Sequence, residues 1–305
     1  MRPRYISLSP FVHWTNENRP IPWQQVFGRS AQLEVEIGFG LGDFLVRQAL
    51  ENPEKDFVGV ELGWVPVRRA LRKIALAGVE NVRVLRADAT VAFERIFLER
   101  SLQRVWALFP CPWPKRRHVR FRFFSQSFLM LLNSRLKRDG EILIVTDYSP
   151  YFDWIMTQVP GTGLEAHAEK VSPRFLTKYE RKWKELGQKK FHQLVLRKRE
   201  HQQIPLKEDT SMITHRVGNF DPYSFRPAND RGEIVVEFKD FLYDSKRLKG
   251  MVRSVVGEDN LVQDIWIEIA RGEKDWHIRP AKGCSIIPTA GVQRALDLVW
   301  DSAGG

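Results

Sequence analysis

The chain has 305 residues and 43% of them are hydrophobic, enough for more than one buried core. Its two cysteines, Cys111 and Cys284, exclude a disulfide framework and a cysteine-built metal site, and no apolar run is long enough to span a bilayer, so a reducing cytoplasm and no membrane are expected. The net charge of +11 sits in residues 1–200, with 34 Lys+Arg against 21 Asp+Glu, whereas residues 201–305 hold 14 against 16; a polyanion is therefore expected to meet the first two-thirds of the chain.

Met1-Arg2-Pro3-Arg4 opens without the apolar core of a signal peptide. The first clear element is a strand near 33–37 that runs into Gly38, Gly40 and Gly42 and then a helix near 43–51. Glycines at a strand-to-helix turn let backbone approach a nucleotide-like ligand, although a tight structural turn has the same spelling. The spacing is G-x-G-x-G, with Glu36 two residues before the first glycine. A dinucleotide fingerprint would be spaced G-x-G-x-x-G and leave room for a pyrophosphate, which Glu36 would repel. An acid there suits S-adenosylmethionine, whose amino and sulfonium groups are cationic.

A second strand, near 57–61, ends in Glu61, placed to accept from both ribose hydroxyls of such a donor. A helix is expected near 64–77, then a strand near 82–86 followed by Asp88. Asp88 either takes the adenine amino group or caps the helix near 90–98. A strand near 104–109 breaks at Pro110-Cys111-Pro112-Trp113-Pro114, where three prolines force a stiff, extended path. Lys115, Arg116, Arg117, His118, Arg120 and Arg122 follow, cations beside a ring, as a stacked base and a held phosphate require. A solvated basic loop is the alternative. Beyond a helix near 124–136, a strand near 141–146 ends at Thr146-Asp147; Asp147 is a candidate to stabilise charge on a base, or an N-cap for a helix near 150–158. Strands near 164–170 and 191–197 complete seven, and the alternation predicts an α/β fold with a mostly parallel, Rossmann-like sheet covered on both faces.

Glu36-Ile-Gly-Phe-Gly-Leu-Gly42, Gly59-Val-Glu61, Asp88, Phe109-Pro-x-Pro-Trp-Pro-Lys115-x-Arg-His118, Thr146-Asp147 and Thr177-Lys-Tyr-Glu-Arg181 together resemble the tRNA (guanine-N7-)-methyltransferases over about residues 30–200. The resemblance implies methyl transfer from S-adenosylmethionine, with no metal, to N7 of a guanosine in the tRNA variable loop. It implies donor binding by Glu36, Gly38, Gly40, Gly42, Glu61, Asp88 and residue 111, and tRNA binding by Lys115, Asp147, Thr177, Lys178, Tyr179 and Glu180. Position 111 and Asp147 would be catalytic. The family has Asp where this chain has Cys111, and a neutral thiol there leaves Asp147 and Glu180 to carry the electrostatic work. For Glu180 the other reading is a surface ion pair with Arg181 or Lys184.

Residues 1–200 thus form the expected methyltransferase domain, working as a monomer or homodimer without an obligate protein partner. Residues 201–305 are expected to hold a linker and a small α+β extension: a strand at 234–238, a helix near 244–256, strands near 261–270 and 275–279, and a helix near 289–300. Lys246, Arg247, Lys249 and Arg253 would share a face of the first of those helices. Two other classes remain open. One is a methyltransferase for exocyclic amines, disfavoured because Pro110-Cys111-Pro112-Trp113 lacks a Pro-Pro pair and a strong acceptor. The other is a non-catalytic RNA binder, which would have no use for Glu36, Glu61 and Asp88.

Overall fold

A computed structural model describes residues 6–304, apart from the side chain of Arg116; the expectation for Met1 to Arg4 lies outside the described residues. The chain divides into two compact units, the first ending at Lys207 and the second starting at Glu208. The fully buried Arg135 explains why 199–207 stays with the first unit, since its guanidinium donates to the carbonyls of Ile204 (2.8 Å) and Pro205 (3.4 Å).

The first unit is a seven-stranded sheet in the order β3-β2-β1-β4-β5-β7-β6. Its strands are β1 (Gln32–Ile37), β2 (Lys55–Glu61), β3 (Val82–Arg86), β4 (Leu102–Leu108), β5 (Leu136–Thr146), β6 (Leu164–Val171) and β7 (Phe191–Lys198). β1 to β5 are parallel, and β7 inserts antiparallel between β5 and β6. The helices are α1 (Trp23–Phe27), α2 (Asp43–Glu51), α3 (Trp64–Ala77), α4 (Ala89–Arg95), α5 (Gln126–Arg135), α6 (Ser149–Gln158) and α7 (Lys178–Glu185). Val35, Val58, Val60, Val84 and Val105 are buried to within 1% because central parallel strands are covered on both faces. Of these helices α1 and α7 have no counterpart in the sequence reading, α1 being only five residues long. The KYERKWKE composition of α7 is polar on nearly every face, so no apolar period announces it.

The second unit is a six-stranded antiparallel sheet in the order β8-β13-β12-β11-β10-β9 with one helix. Its strands are β8 (His215–Val217), β9 (Asp230–Arg231), β10 (Ile234–Asp244), β11 (Lys249–Glu258), β12 (Leu261–Arg271) and β13 (Trp276–Pro280). Helix α8 (Ala290–Ser302) sends Val292, Leu296 and Val299 into a core with Val236, Val252, Ile267 and Ile278.

The helix expected near 244–256 is a hairpin instead: β10 turns at Asp244 and returns as β11. Alternation decides it, because Val252, Ser254 and Val256 face the core while Met251, Arg253 and Val255 face away. The expected basic helix face is correspondingly absent. Arg253 pairs with Asp240 (3.2 Å) and Asp264 (2.7 Å) on the flanking strands, and Lys249 pairs with the buried Glu268 (2.5 Å). Among the described residues no helix is long and apolar enough to cross a membrane.

Candidate donor and tRNA site

The chain passes from β1 to β2 and β3 on one side and returns through β4 on the other, so β1 and β4 flank the switch point of the sheet. Ligands of open α/β sheets bind beyond the carboxyl ends of strands at such a point. The glycine turn stands there. Gly38, Gly40 and Gly42 have φ of 68°, 54° and 72°, a region that side chains rarely adopt. Gly42 is also a packing contact, because a Cβ on it would stand 2.8 Å from the Cβ of Ala70 in α3.

Glu36, Gly38, Gly40 and Asp43 line one cleft with Pro66 and Arg69 of α3, Leu108 and the segment Thr177–Tyr179. Glu36 is 3% exposed and its Oε2 has no partner. Burial, then the nearby Asp43 and Glu61 carboxylates, push its pKa up to about 8, against the opposing pull of Arg47 and the Leu45 N–H. A buried carboxyl oxygen without a donor is costly unless a ligand supplies one. The ammonium of S-adenosylmethionine fits that need.

Glu61 ties the ends of two strands together. Its Oε2 accepts from Gly40 N (3.1 Å), and its Oε1 accepts from Leu62 N (3.0 Å) and Gly63 N (3.2 Å). A carboxylate has about four acceptor positions, so with three taken by backbone N–H groups about one remains for a ribose hydroxyl. Asp88 is the N-cap of α4: its Oδ1 accepts from Thr90 N (2.8 Å) and Val91 N (3.2 Å), while its Oδ2 is uncommitted to the cap. Asp147 behaves differently. The N-cap of α6 is Tyr148, without a side-chain bond, so the capping alternative for Asp147 is not adopted. Burial raises the pKa of Asp147, partly offset by its own backbone N–H and by Lys182.

Glu180 is not the surface ion pair of the alternative reading, being 1% exposed. Its Oε1 accepts from Arg174 N (2.7 Å) and Phe175 N (3.0 Å), and its Oε2 accepts from Leu176 N. The hydroxyl of Thr177 caps α7 by accepting from Glu180 N (3.1 Å). The Thr-x-x-Glu spelling is thus a capping device in which the acid reaches past the cap to the preceding turn. Arg47 of α2 donates to Phe175 O (2.8 Å), and Arg181 joins Leu176 O (2.8 Å) to Asp43 (3.1 Å). These bonds seat the exposed Lys178 and Tyr179 at the cleft. Glu180→Ala would strand the buried N–H of Phe175 and loosen the part-buried N–H groups of Arg174 and Leu176, so donor and tRNA affinity are both expected to fall at least tenfold, on the scale of the roughly 1–3 kcal/mol that a buried orphan costs. Paired calorimetry and filter binding check this; a loss confined to tRNA would restore Glu180 as a contact residue.

Beyond β4 the proline loop carries two strained residues, Phe109 at φ 56° and Trp113 at φ 45°. Trp113 is partly exposed and meets His118 edge-on (5.7 Å) and Phe121 at 5.5 Å, a ring cluster on which a base can stack. Lys115, Arg117 and Arg120 are exposed. Arg122, expected to grip phosphate, is instead a strap: its Nε donates to Pro112 O (3.1 Å) and its guanidinium lies over Tyr151 (5.5 Å) and Trp154 (5.4 Å) of α6. Cys111 is exposed in this loop and, like Lys115 and Asp147, lies outside the lining of the glycine-turn cleft. Among the described residues no group of His, Cys, Asp and Glu is placed to hold a metal ion.

The profile of a family described as putative methyltransferases matches residues 30–193. A tRNA (guanine-N(7)-)-methyltransferase of Chlorobium phaeobacteroides is 41% identical over 180 residues, 59% of this chain and 88% of that protein. That of Thermus thermophilus is 36% identical over 284 residues, 91% of each chain. That of Aquifex aeolicus is 27% identical over 299 residues, 95% of this chain and 97% of its own. Among solved structures, the 16S rRNA methyltransferase KamB aligns over 61% of this chain and 96% of that one at 14% identity, with a TM-score of 0.49.

Proposed function

The chain belongs to the tRNA (guanine-N7-)-methyltransferase family and uses S-adenosylmethionine to methylate N7 of a tRNA guanine, and from that premise we propose how its residues divide the work and that the guanine is one of the variable loop. N7 of guanine carries an in-plane lone pair and no proton, so its attack on the methyl carbon needs no general base. The protein has to align N7, methyl carbon and sulfur and to favour positive charge moving onto the purine. Glu36 holds the donor's ammonium, Glu61 its ribose and the free oxygen of Asp88 its adenine. Asp147, uncommitted to any cap, faces the charge that develops on the base. Thr177, Lys178 and Tyr179 shape the opening, with Glu180 holding them in place. Cys111 stands exposed on the proline loop beyond β4 and takes no part in holding the donor.

The observation that carries this reading is the unpartnered Oε2 of Glu36 in the cleft of the glycine turn. The reaction is tested by incubating the protein with labelled donor and tRNA transcript and mapping the methyl group by cleavage at 7-methylguanosine. Methyl on an exocyclic amine, or donor and tRNA binding without transfer, would overturn it.

Catalysis is assigned to residues 1–200, acting in the cytoplasm as a monomer or homodimer. Glu61→Ala is expected to weaken donor binding at least tenfold, since charge-assisted hydrogen bonds contribute about 1.5–3 kcal/mol each, and to leave tRNA affinity nearly unchanged. Equal donor affinity of variant and parent in calorimetry would remove Glu61 from the site. For tRNA, neutralising Lys115 and Arg117 should reduce the slope of log affinity against log salt by about 1 per lost phosphate contact. An unchanged slope would leave the loop as a solvated face.

A further inference from the structure

At the amino ends of the strands, opposite the glycine turn, lies a second cleft of about 470 Å³. It is lined by Trp23 of α1, Arg29, the first part of β1 at Leu33, Asp56 of β2, Arg100 and Lys137 of β5. We infer that this cleft is a binding site for a small organic anion, an oxyanion on a short apolar body, unrelated to the donor and tRNA sites.

Three observations carry it. Trp23 is 8% exposed and its indole N–H is buried without an acceptor, although the ring is fixed by stacking on Phe97 at 5.6 Å. An unmet donor of this kind in a preformed cleft is satisfied by a ligand oxygen. Among the lining residues the charge is positive, with Arg29, Arg100 and Lys137 against Asp56, which Arg29 already holds at 2.7 Å, while Glu99, outside the lining, stands 4.0 Å from Arg100. Arg100 also occupies a left-handed backbone conformation, φ 54°, where glycine or asparagine is the usual choice. Its N–H to Ser134 O (3.0 Å) and the next one, from Ser101 to Arg135 O (2.9 Å), anchor that turn. A guanidinium is thus held at the cleft in spite of backbone strain. Leu33 and Ile21 supply the apolar floor.

The probes are phenyl phosphate and benzoate, which separate a phosphate ester from a carboxylate. Each is titrated into the full-length protein while the Trp23 indole N–H resonance, assigned by its loss in Trp23→Phe, is followed by NMR. A saturable shift with at least one probe is expected, unaffected by saturating S-adenosylmethionine. Arg100→Gly, which relieves the strain and so preserves the fold, should weaken binding at least fivefold, and Lys137→Ala should act in the same direction. A shift that never saturates, equal affinity in Arg100→Gly, or displacement of the probe by tRNA would each overturn the assignment, the last by making this face an RNA contact. Because donor binding and methylation are not readouts here, failure would leave the catalytic reading untouched.

Discussion

Asp147→Ala is expected to lower the rate of methyl transfer by about 10²–10³ at saturating donor and tRNA, the usual loss for one well-aimed polar group. The reason is positional. Asp147 follows the last residue of β5 at the carboxyl edge of the sheet, and unlike Asp88 it does not cap a helix. Cys111→Ala, by contrast, should change the rate less than threefold, since Cys111 is exposed and a thiol is only a weak hydrogen-bonding group. Because burial raises the pKa of Asp147, its charged form is lost earlier on acidification than that of an ordinary aspartate. The acid limb of the single-turnover rate should therefore lie higher than an ordinary aspartate would place it and vanish in Asp147→Asn. A Cys111→Ala enzyme without activity beside an active Asp147→Ala enzyme would reverse the two roles.

Donor binding should be linked to protons through Glu36. With its pKa near 8, Glu36 is mostly neutral at pH 7, yet the donor's ammonium favours the carboxylate. Binding at pH 7 is therefore expected to release about one proton, and affinity to rise up to tenfold per pH unit as pH approaches 8. Above that the donor's own amine, with an ordinary pKa of about 7.7–8.0, begins to lose its charge, so affinity should peak near pH 8. Glu36→Gln should abolish the proton release and weaken binding at the optimum by roughly 10²-fold, about 2.7 kcal/mol, within the range for breaking a buried charged contact. Calorimetry in buffers of different ionisation enthalpy reads both effects. The free protein gives the opposite sign for stability. A carboxyl whose pKa rises from 4.5 to about 8 on folding keeps its proton between those values when the unfolded chain has lost it. Its contribution is full below 4.5 and declines as pH rises through 8. Glu36→Gln should thus gain stability relative to the parent across that window, on the order of a few kcal/mol by its top. A donor affinity flat between pH 6 and 8, with no proton released, would show that Glu36 does not face the ammonium.

The strand ends and the acids standing on them were legible because each rule involved is local. Alternation and apolar runs place β1 to β7, and a glycine cluster after a strand can only be a turn. Helices α2 and α3 begin and end where the sequence pattern has them, at Asp43–Glu51 and Trp64–Ala77, because each ends at a backbone change, Asn52 and the left-handed Gly78. The hairpin of β10 and β11 was read as a helix for the complementary reason. Lys246, Arg247, Lys249 and Arg253 look like a helical face in one dimension, and the partners that make Arg253 a strand residue, Asp240 and Asp264, lie 13 and 11 positions away.

What the sequence by itself determined was which residue types stand at the carboxyl ends of the strands, and so the cofactor class and the region of the sheet that uses it. Only the tertiary structure decided what each acid is free to do. Glu36, Glu61, Asp88, Asp147 and Glu180 are five carboxylates of similar intrinsic pKa, and their composition cannot rank them. Packing leaves Glu36 buried and without a donor, commits one oxygen of Asp88 to a cap, and surrounds Glu180 with three backbone N–H groups. Arg122 follows the same rule, a cation in a basic run whose carbonyl and ring partners turn it inward. A side chain's chemistry is local, but its unmet valence depends on which backbone and side-chain groups the fold brings within 3 Å of it.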